Sequence, residues 1–141
     1  LHLHIPLSKP LSREFECAKK QVLQSLRRGN FYSAVDGAAG ARGFRFWAEQ
    51  EGNVIPMGSV APAGSKTSFY ATMPVGVAFE ARLLRDGDPV FQSQDQTWTY
   101  AVSESAGTYR VEVYLREKTP IKKDIPWILS NPIFLKERTD D

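Results

Sequence analysis

Hydrophobic and polar residues alternate with two different periods along this chain, and the period changes at Gly29. Before it, Phe15, Ala18, Val22 and Leu26 recur at helical spacing, which predicts one amphipathic helix whose apolar stripe needs a partner surface. Ser12 is suited to cap the start of that helix, Glu14 and Glu16 suit the positive end of its dipole, and Arg27 and Arg28 suit the negative end before Gly29. Ahead of the helix, residues 1–5 read Leu-His-Leu-His-Ile. This is strand-like alternation, with the histidines on one polar, solvent-facing side and Leu1, Leu3 and Ile5 on the other, ending in a turn at Pro6 and Pro10.

After Gly29 the period is two. Between Gly43 and Glu49, Phe44, Phe46 and Ala48 fall on one face and Arg45, Trp47 and Glu49 on the other. Gly52-Asn53 predicts a hairpin into residues 54–57. Further strands are expected at 67–73, 77–85, 89–92, 97–103, 108–116 and 127–135, separated by turn-forming clusters. The last is interrupted at Ser130-Asn131-Pro132, where Pro132 requires an edge or a bulge. Many short strands with regular turn signals predict a mainly β protein, an immunoglobulin-like β-sandwich preceded by one N-terminal α-helix. The expected layout is an extended segment plus linker helix over residues 1–40 and the sandwich over 41–141. Tyr109, Val111, Val113 and Leu115 share one face after a glycine turn, like the strand that carries the tyrosine corner in such domains. Tyr109 either bonds back to a nearby backbone group in that way or caps the core with its hydroxyl in water.

The composition bounds this picture. The chain has 141 residues, 42% hydrophobic and 24% charged, enough for one domain with a real core and typical of a globular protein. No apolar run approaches the roughly 20 residues of a spanning helix, and the net charge of +2 comes from scattered residues, so neither membrane nor nucleic acid is expected as a partner. The single cysteine, Cys17, forms no internal disulfide and leaves the compartment open. A large first residue, Leu1, leads us to expect a fragment of a longer protein or a processed chain.

Candidate chemistry is sparse. His2 and His4 are the only histidines, and their spacing could aim both imidazoles at one metal ion. The further ligands would have to be carboxylates such as Glu14, Glu16 or Asp36, none in a recognisable metal spacing, so the expectation is no metal site. Cys17 reads as a buried structural thiol rather than a nucleophile. The glycines between Asp36 and Gly43 lack the Lys-Ser/Thr of a phosphate-binding loop and read as a flexible crossover. Asp86-Gly87-Asp88 is a turn, Asp140-Asp141 a tail, and the charges at 116–118 and 122–124 a solvated loop. Trp98 and Trp127 read as core. Trp47, beside Arg45, is either an exposed plate for a sugar or another domain, or is packed beneath the helix or a loop.

The stretches "VLQSLRRGNFYSAVDGAAGARGFRFWAEQEGNVIPMGS", "RLLRDGDPVF", "GTYRVEVYL" and "PWILSNPIFL" resemble the C-terminal region of bacterial metal-dependent phosphoesterases of the PHP (polymerase and histidinol phosphatase) family. In two-domain members a PHP barrel precedes a β-sandwich, and the run from Ser25 to Tyr32, with Gly29 at its centre, resembles the junction between them. The resemblance spans most of residues 20–135 and rests on structural motifs. The family's metal cluster begins with D-x-H-x-H, whereas this chain has no Asp before His2 and no histidine after His4, so no catalytic residue carries over. The resemblance implies a non-catalytic accessory domain serving docking, substrate access or assembly. Its partner would be a PHP catalytic domain on the same polypeptide, and divalent metals would belong to that absent barrel, with no cofactor in this chain. An exposed helix stripe would also favour homo-oligomers. The alternative is a carbohydrate-binding or adhesion module using Trp47 and Arg45, and a third reading is a small metal-binding protein using His2 and His4.

Overall fold

The period-two pattern beyond Gly29 folds into two packed sheets, in a computed structural model that describes residues 1–139. The Asp140-Asp141 tail lies outside the described residues. In chain order the elements are β1 (His2–His4), α1 (Phe15–Arg28), β2 (Tyr32–Ala34), β3 (Arg45–Gln50), β4 (Asn53–Pro56), β5 (Val60–Pro62) and β6 (Thr67–Thr72). They continue with β7 (Phe79–Arg85), β8 (Asp88–Ser93), β9 (Thr97–Val102), β10 (Gly107–Leu115), β11 (Ile128–Ser130) and β12 (Ile133–Lys136). The fold is a mainly β sandwich with one helix near the N-terminus.

The larger sheet is built on β10. On one flank β10 pairs with β7, and β8 follows; on the other, its first residues pair with β12 and its later ones with β11. From β11 the sheet continues through β2 to β1, all antiparallel, and from β12 to a parallel β5. The smaller sheet runs β4-β3-β6-β9. The inner faces meet as the alternation requires: Phe46, Ala48, Phe69 and Ala71 from one sheet pack against Ala81, Leu83, Tyr109, Val111 and Val113 from the other, all buried. Across the sandwich the rings of Phe69 and Tyr109 lie 4.4 Å apart, and Trp98 and Trp127 are buried as expected.

The break at Asn131-Pro132 divides what would be one strand into β11 and β12. Ser130 turns its hydroxyl inward there to accept the Val111 N–H at 2.8 Å, replacing a lost ladder bond. The Pro132 carbonyl accepts the Gly58 N–H at 2.7 Å, and the Asn131 side-chain amide donates to the Gly29 carbonyl at 2.8 Å. The strand interruption thus anchors the end of α1. Gly29 ends the helix in the left-handed conformation, φ +72°, with its own N–H donating to Leu26 O and the Asn30 N–H to Ser25 O. Gly58 presses directly on this cap, and a Cβ there would overlap the Arg28 carbonyl oxygen.

Tyr109 takes the bonded arrangement: its hydroxyl donates to the Ser105 carbonyl at 2.9 Å, four residues upstream. The predicted hairpin forms, but Gln50 pairs with Asn53, so the turn is centred on Glu51-Gly52, one residue earlier than the Gly52-Asn53 signal. The start of α1 also differs. The helix begins at Phe15 after Glu14, with no side-chain cap, and the Ser12 hydroxyl accepts the Glu14 N–H instead. Strands β2 and β5 have three residues each, too few for a period to register. Residues 2–4 and 32–34, on the N-terminal side of position 40, hydrogen-bond into the larger sheet.

Candidate functional site

His2 and His4 lie directly opposite Ala34 and Tyr32 in the β1–β2 pairing. Opposed residues in an antiparallel pair share a face, so the histidines lie on the face of buried Tyr32 and Ala34, but at this sheet edge His2 keeps 70% of its side chain in solvent while His4 keeps 20%, and Leu1 and Leu3 are exposed as well. The solvent-facing polar side that alternation predicts therefore holds at His2 and not at His4. This face is tolerable because each imidazole finds a partner. His4 stacks on Tyr32, centroids 4.7 Å apart and planes 7° off parallel. Asp36, in the loop after β2, brings its Oδ2 to 2.8 Å from His2 Nδ1 and 2.7 Å from His4 Nε2.

Partial burial works to raise the Asp36 pKa. Hydrogen bonds from His4, the Ala41 N–H and His2, with the His4 charge, outweigh it and bring the carboxyl down to about 2. An ionised carboxylate only accepts, so His2 must carry its proton on Nδ1 and His4 on Nε2. The loop is closed further on: Asp36 Oδ1 accepts the Ala41 N–H at 3.0 Å, the Tyr32 hydroxyl donates to Ala41 O at 2.8 Å, and the Trp127 indole donates to Ala39 O at 2.8 Å. Burial, and then the Asp36 charge, push the Tyr32 phenol up to about 12, so it remains a donor. The glycine-rich segment is therefore pinned at three points. Among the described residues no three His, Cys, Asp or Glu side chains are placed to hold a metal ion; the two imidazoles meet one carboxylate oxygen at hydrogen-bond distance.

His4 also forms one wall of a cleft of about 470 Å³, with Tyr32, Phe44, Arg42, Arg45 and Trp47 among its lining. Arg45 is exposed and Trp47 half-buried. The indole stacks on Tyr70, its register neighbour on β6, at 5.4 Å and 11°, and its N–H points to Glu49 at 3.5 Å. A second cleft of about 530 Å³, between α1 and the β4–β5 turn, shares Pro6, Leu7 and Ser8 with the first as lining. Arg42 had no signal in the sequence, because its place in a cleft lining depends on His4, residues 5–8 and Tyr32 meeting it from elsewhere in the chain.

The helix and the thiol depart from expectation. None of α1 is buried: Ala18, Val22 and Leu26 are half-covered, whereas Phe15 is 74% exposed. Cys17 is exposed, not buried, because it lies off the half-covered face; its thiol donates to Glu14 at 2.8 Å, and that carboxylate raises its pKa. The charges at 116–118 and 122–124 are exposed, and among the described residues no helix is long and apolar enough to cross a membrane. In comparisons with known proteins, no family model, no curated protein and no solved structure matches the chain.

Proposed function

We propose that this chain is a non-catalytic accessory domain of a PHP-type metal-dependent phosphoesterase, docking against a catalytic domain through its N-terminal layer. The observation that carries the reading is the exposed apolar N-terminal edge. Strand β1 leaves Leu1 and Leu3 exposed, Leu129 is exposed in the same row across Ser33 of β2, and α1 leaves Phe15 in solvent. Large apolar side chains on ordered elements are costly to hold in water, about 1.5–3 kcal/mol each relative to burial, and such patches mark interaction surfaces. The N-terminal position of this layer agrees with the resemblance of the Ser25–Tyr32 run to a barrel–sandwich junction. Both histidines are engaged by Asp36, which supports a structural role for them in this reading.

The test has two arms. The 141-residue protein, assayed with manganese or zinc on phosphomonoester and phosphodiester substrates, is expected to show no turnover; robust turnover abolished by joint His2→Ala and His4→Ala substitution overturns the reading. A Leu3→Ser, Phe15→Ser variant is expected to keep its unfolding free energy within about 0.5 kcal/mol, as for free surface positions, and to lose binding of a hydrophobic dye. A loss of several kcal/mol would mean these side chains support the fold and form no docking face.

A further inference from the structure

The two adjoining clefts have a charge composition that the chain as a whole lacks. The protein carries 18 Lys and Arg against 16 Asp and Glu, nearly balanced. Yet Lys9, Arg27, Arg28, Arg42 and Arg45 line the clefts and no acidic residue does. None of these five cations takes part in an ion pair among the described residues; the basic partners that do are His2, His4, Arg82 and Arg110. Asp36 accepts from both histidines, and Glu49 faces the Trp47 indole N–H.

The five cations are not equivalent. Arg27 and Arg28 sit in the last turn of α1, where they offset the negative end of the helix dipole, so part of their charge is spent within the fold. Arg42 and Arg45 have no such role. They stand on either side of Gly43, at the mouth of the cleft with aromatic walls. Its floor is the buried pair Tyr32 and Phe44, ring centroids 4.8 Å apart, and Trp47 offers a half-exposed indole at the side. Guanidinium groups recognise phosphate through paired, charge-assisted N–H donors, and an aromatic wall supplies a surface for a ring. The volume of about 470 Å³ falls in the range of small-molecule sites, about 300–1,000 Å³. A polynucleotide would need a longer open basic track.

We infer that the cleft between residues 6–8 and β3–β4 binds a phosphate monoester of a ring-bearing small molecule, the phosphate on Arg42 and Arg45 and the ring against Trp47. The inference stands on the cleft alone and does not depend on the accessory role proposed above. Phenyl phosphate, inorganic phosphate, phenol and a single-stranded oligonucleotide serve as probes, with binding followed by calorimetry and by amide chemical shifts in the 141-residue protein.

Phenyl phosphate is expected to bind saturably, with shifts centred on residues 42–47, and phenol not to bind. Arg42→Ala with Arg45→Ala should weaken phenyl phosphate by about tenfold or more. Lys122→Ala with Lys123→Ala, the same charge change on an exposed loop, should weaken it less than about twofold. Trp47→Ala should weaken phenyl phosphate and leave inorganic phosphate unchanged. Both arginines are exposed, and Arg42→Lys with Arg45→Lys, which keeps the charge and loses the paired donors, should fall between wild type and the double alanine variant. Absence of saturable phenyl phosphate binding at millimolar concentration, equal weakening by the two double alanine variants, or tighter binding of the oligonucleotide overturns the inference.

Discussion

Replacing Asp36 by asparagine removes the charge that holds β1 to the loop after β2 while keeping the side chain's size. The carboxyl moves from an ordinary 3.8 to about 2 on folding. At about 1.4 kcal/mol for each tenfold change in proton affinity, this links up to about 2.5 kcal/mol of stability to its ionisation. The side chain keeps 21% of its surface in water, so screening reduces this to about 1–2 kcal/mol. Because the folded pKa is depressed, the contribution is complete above about pH 4 and is lost as the pH falls through about 2. Urea unfolding of the wild type and Asp36→Asn at pH 7, 5 and 2.5 should therefore show a difference of about 1–2 kcal/mol at the two higher values and a clearly smaller one at pH 2.5. Hydrogen exchange should show the β1 and β2 amides, residues 2–4 and 32–34, losing protection in the variant before those of β10. An equal difference at pH 7 and 2.5 would refute the reasoning, since uncharged hydrogen bonding or packing would then be the whole effect.

Two further changes probe the framework. Gly58→Ala places a Cβ against the Arg28 carbonyl oxygen and 2.7 Å from the Gly29 carbonyl carbon, at φ +83°; neither backbone can withdraw, so a loss of more than about 3 kcal/mol is expected, or about 10 °C in a thermal melt, whereas Gly37→Ala, with nothing within 4 Å, should shift the melt by less than about 2 °C. Tyr109→Phe deletes the bond to the Ser105 carbonyl and keeps the ring stacked on Phe69, so chemical denaturation should show a cost of about 1–2 kcal/mol, well below the ~3–5 kcal/mol of Tyr109→Ala.

Local pattern sufficed for much of the sandwich. The alternation around Phe44–Glu49 and Tyr109–Leu115 assigned the right faces because one side of each strand is buried against the opposing sheet, where a polar residue would be penalised. Pro132 marked the strand break for a similarly local reason, having no N–H for the ladder. At the N-terminus the same logic reached only part of the way. The strand Leu1–Ile5 alternates cleanly and His2 stays largely in solvent, but His4 is half-buried because it meets Asp36 and Tyr32 from residues about 30 positions away. Asp36 itself was visible only as one of three carboxylates, since nothing in its spacing indicates that the loop to Ala41 folds back onto β1.

The sequence by itself determined what depends on neighbours along the chain: a helix ending at Gly29, strands with one apolar face, a tyrosine near the start of β10, a turn at Asp86-Gly87-Asp88. Tertiary structure decided what depends on residues meeting from a distance: the two histidines clasped by Asp36, the contact of Gly58 with the helix end, and the acid-free clefts that set residues 6–8 and Tyr32 against Arg42, Arg45 and Trp47. The physical reason is the range of the forces involved. Backbone conformation and alternation are set within a turn or a strand, whereas hydrogen-bond satisfaction and local charge are set by whatever the fold brings within a few ångströms.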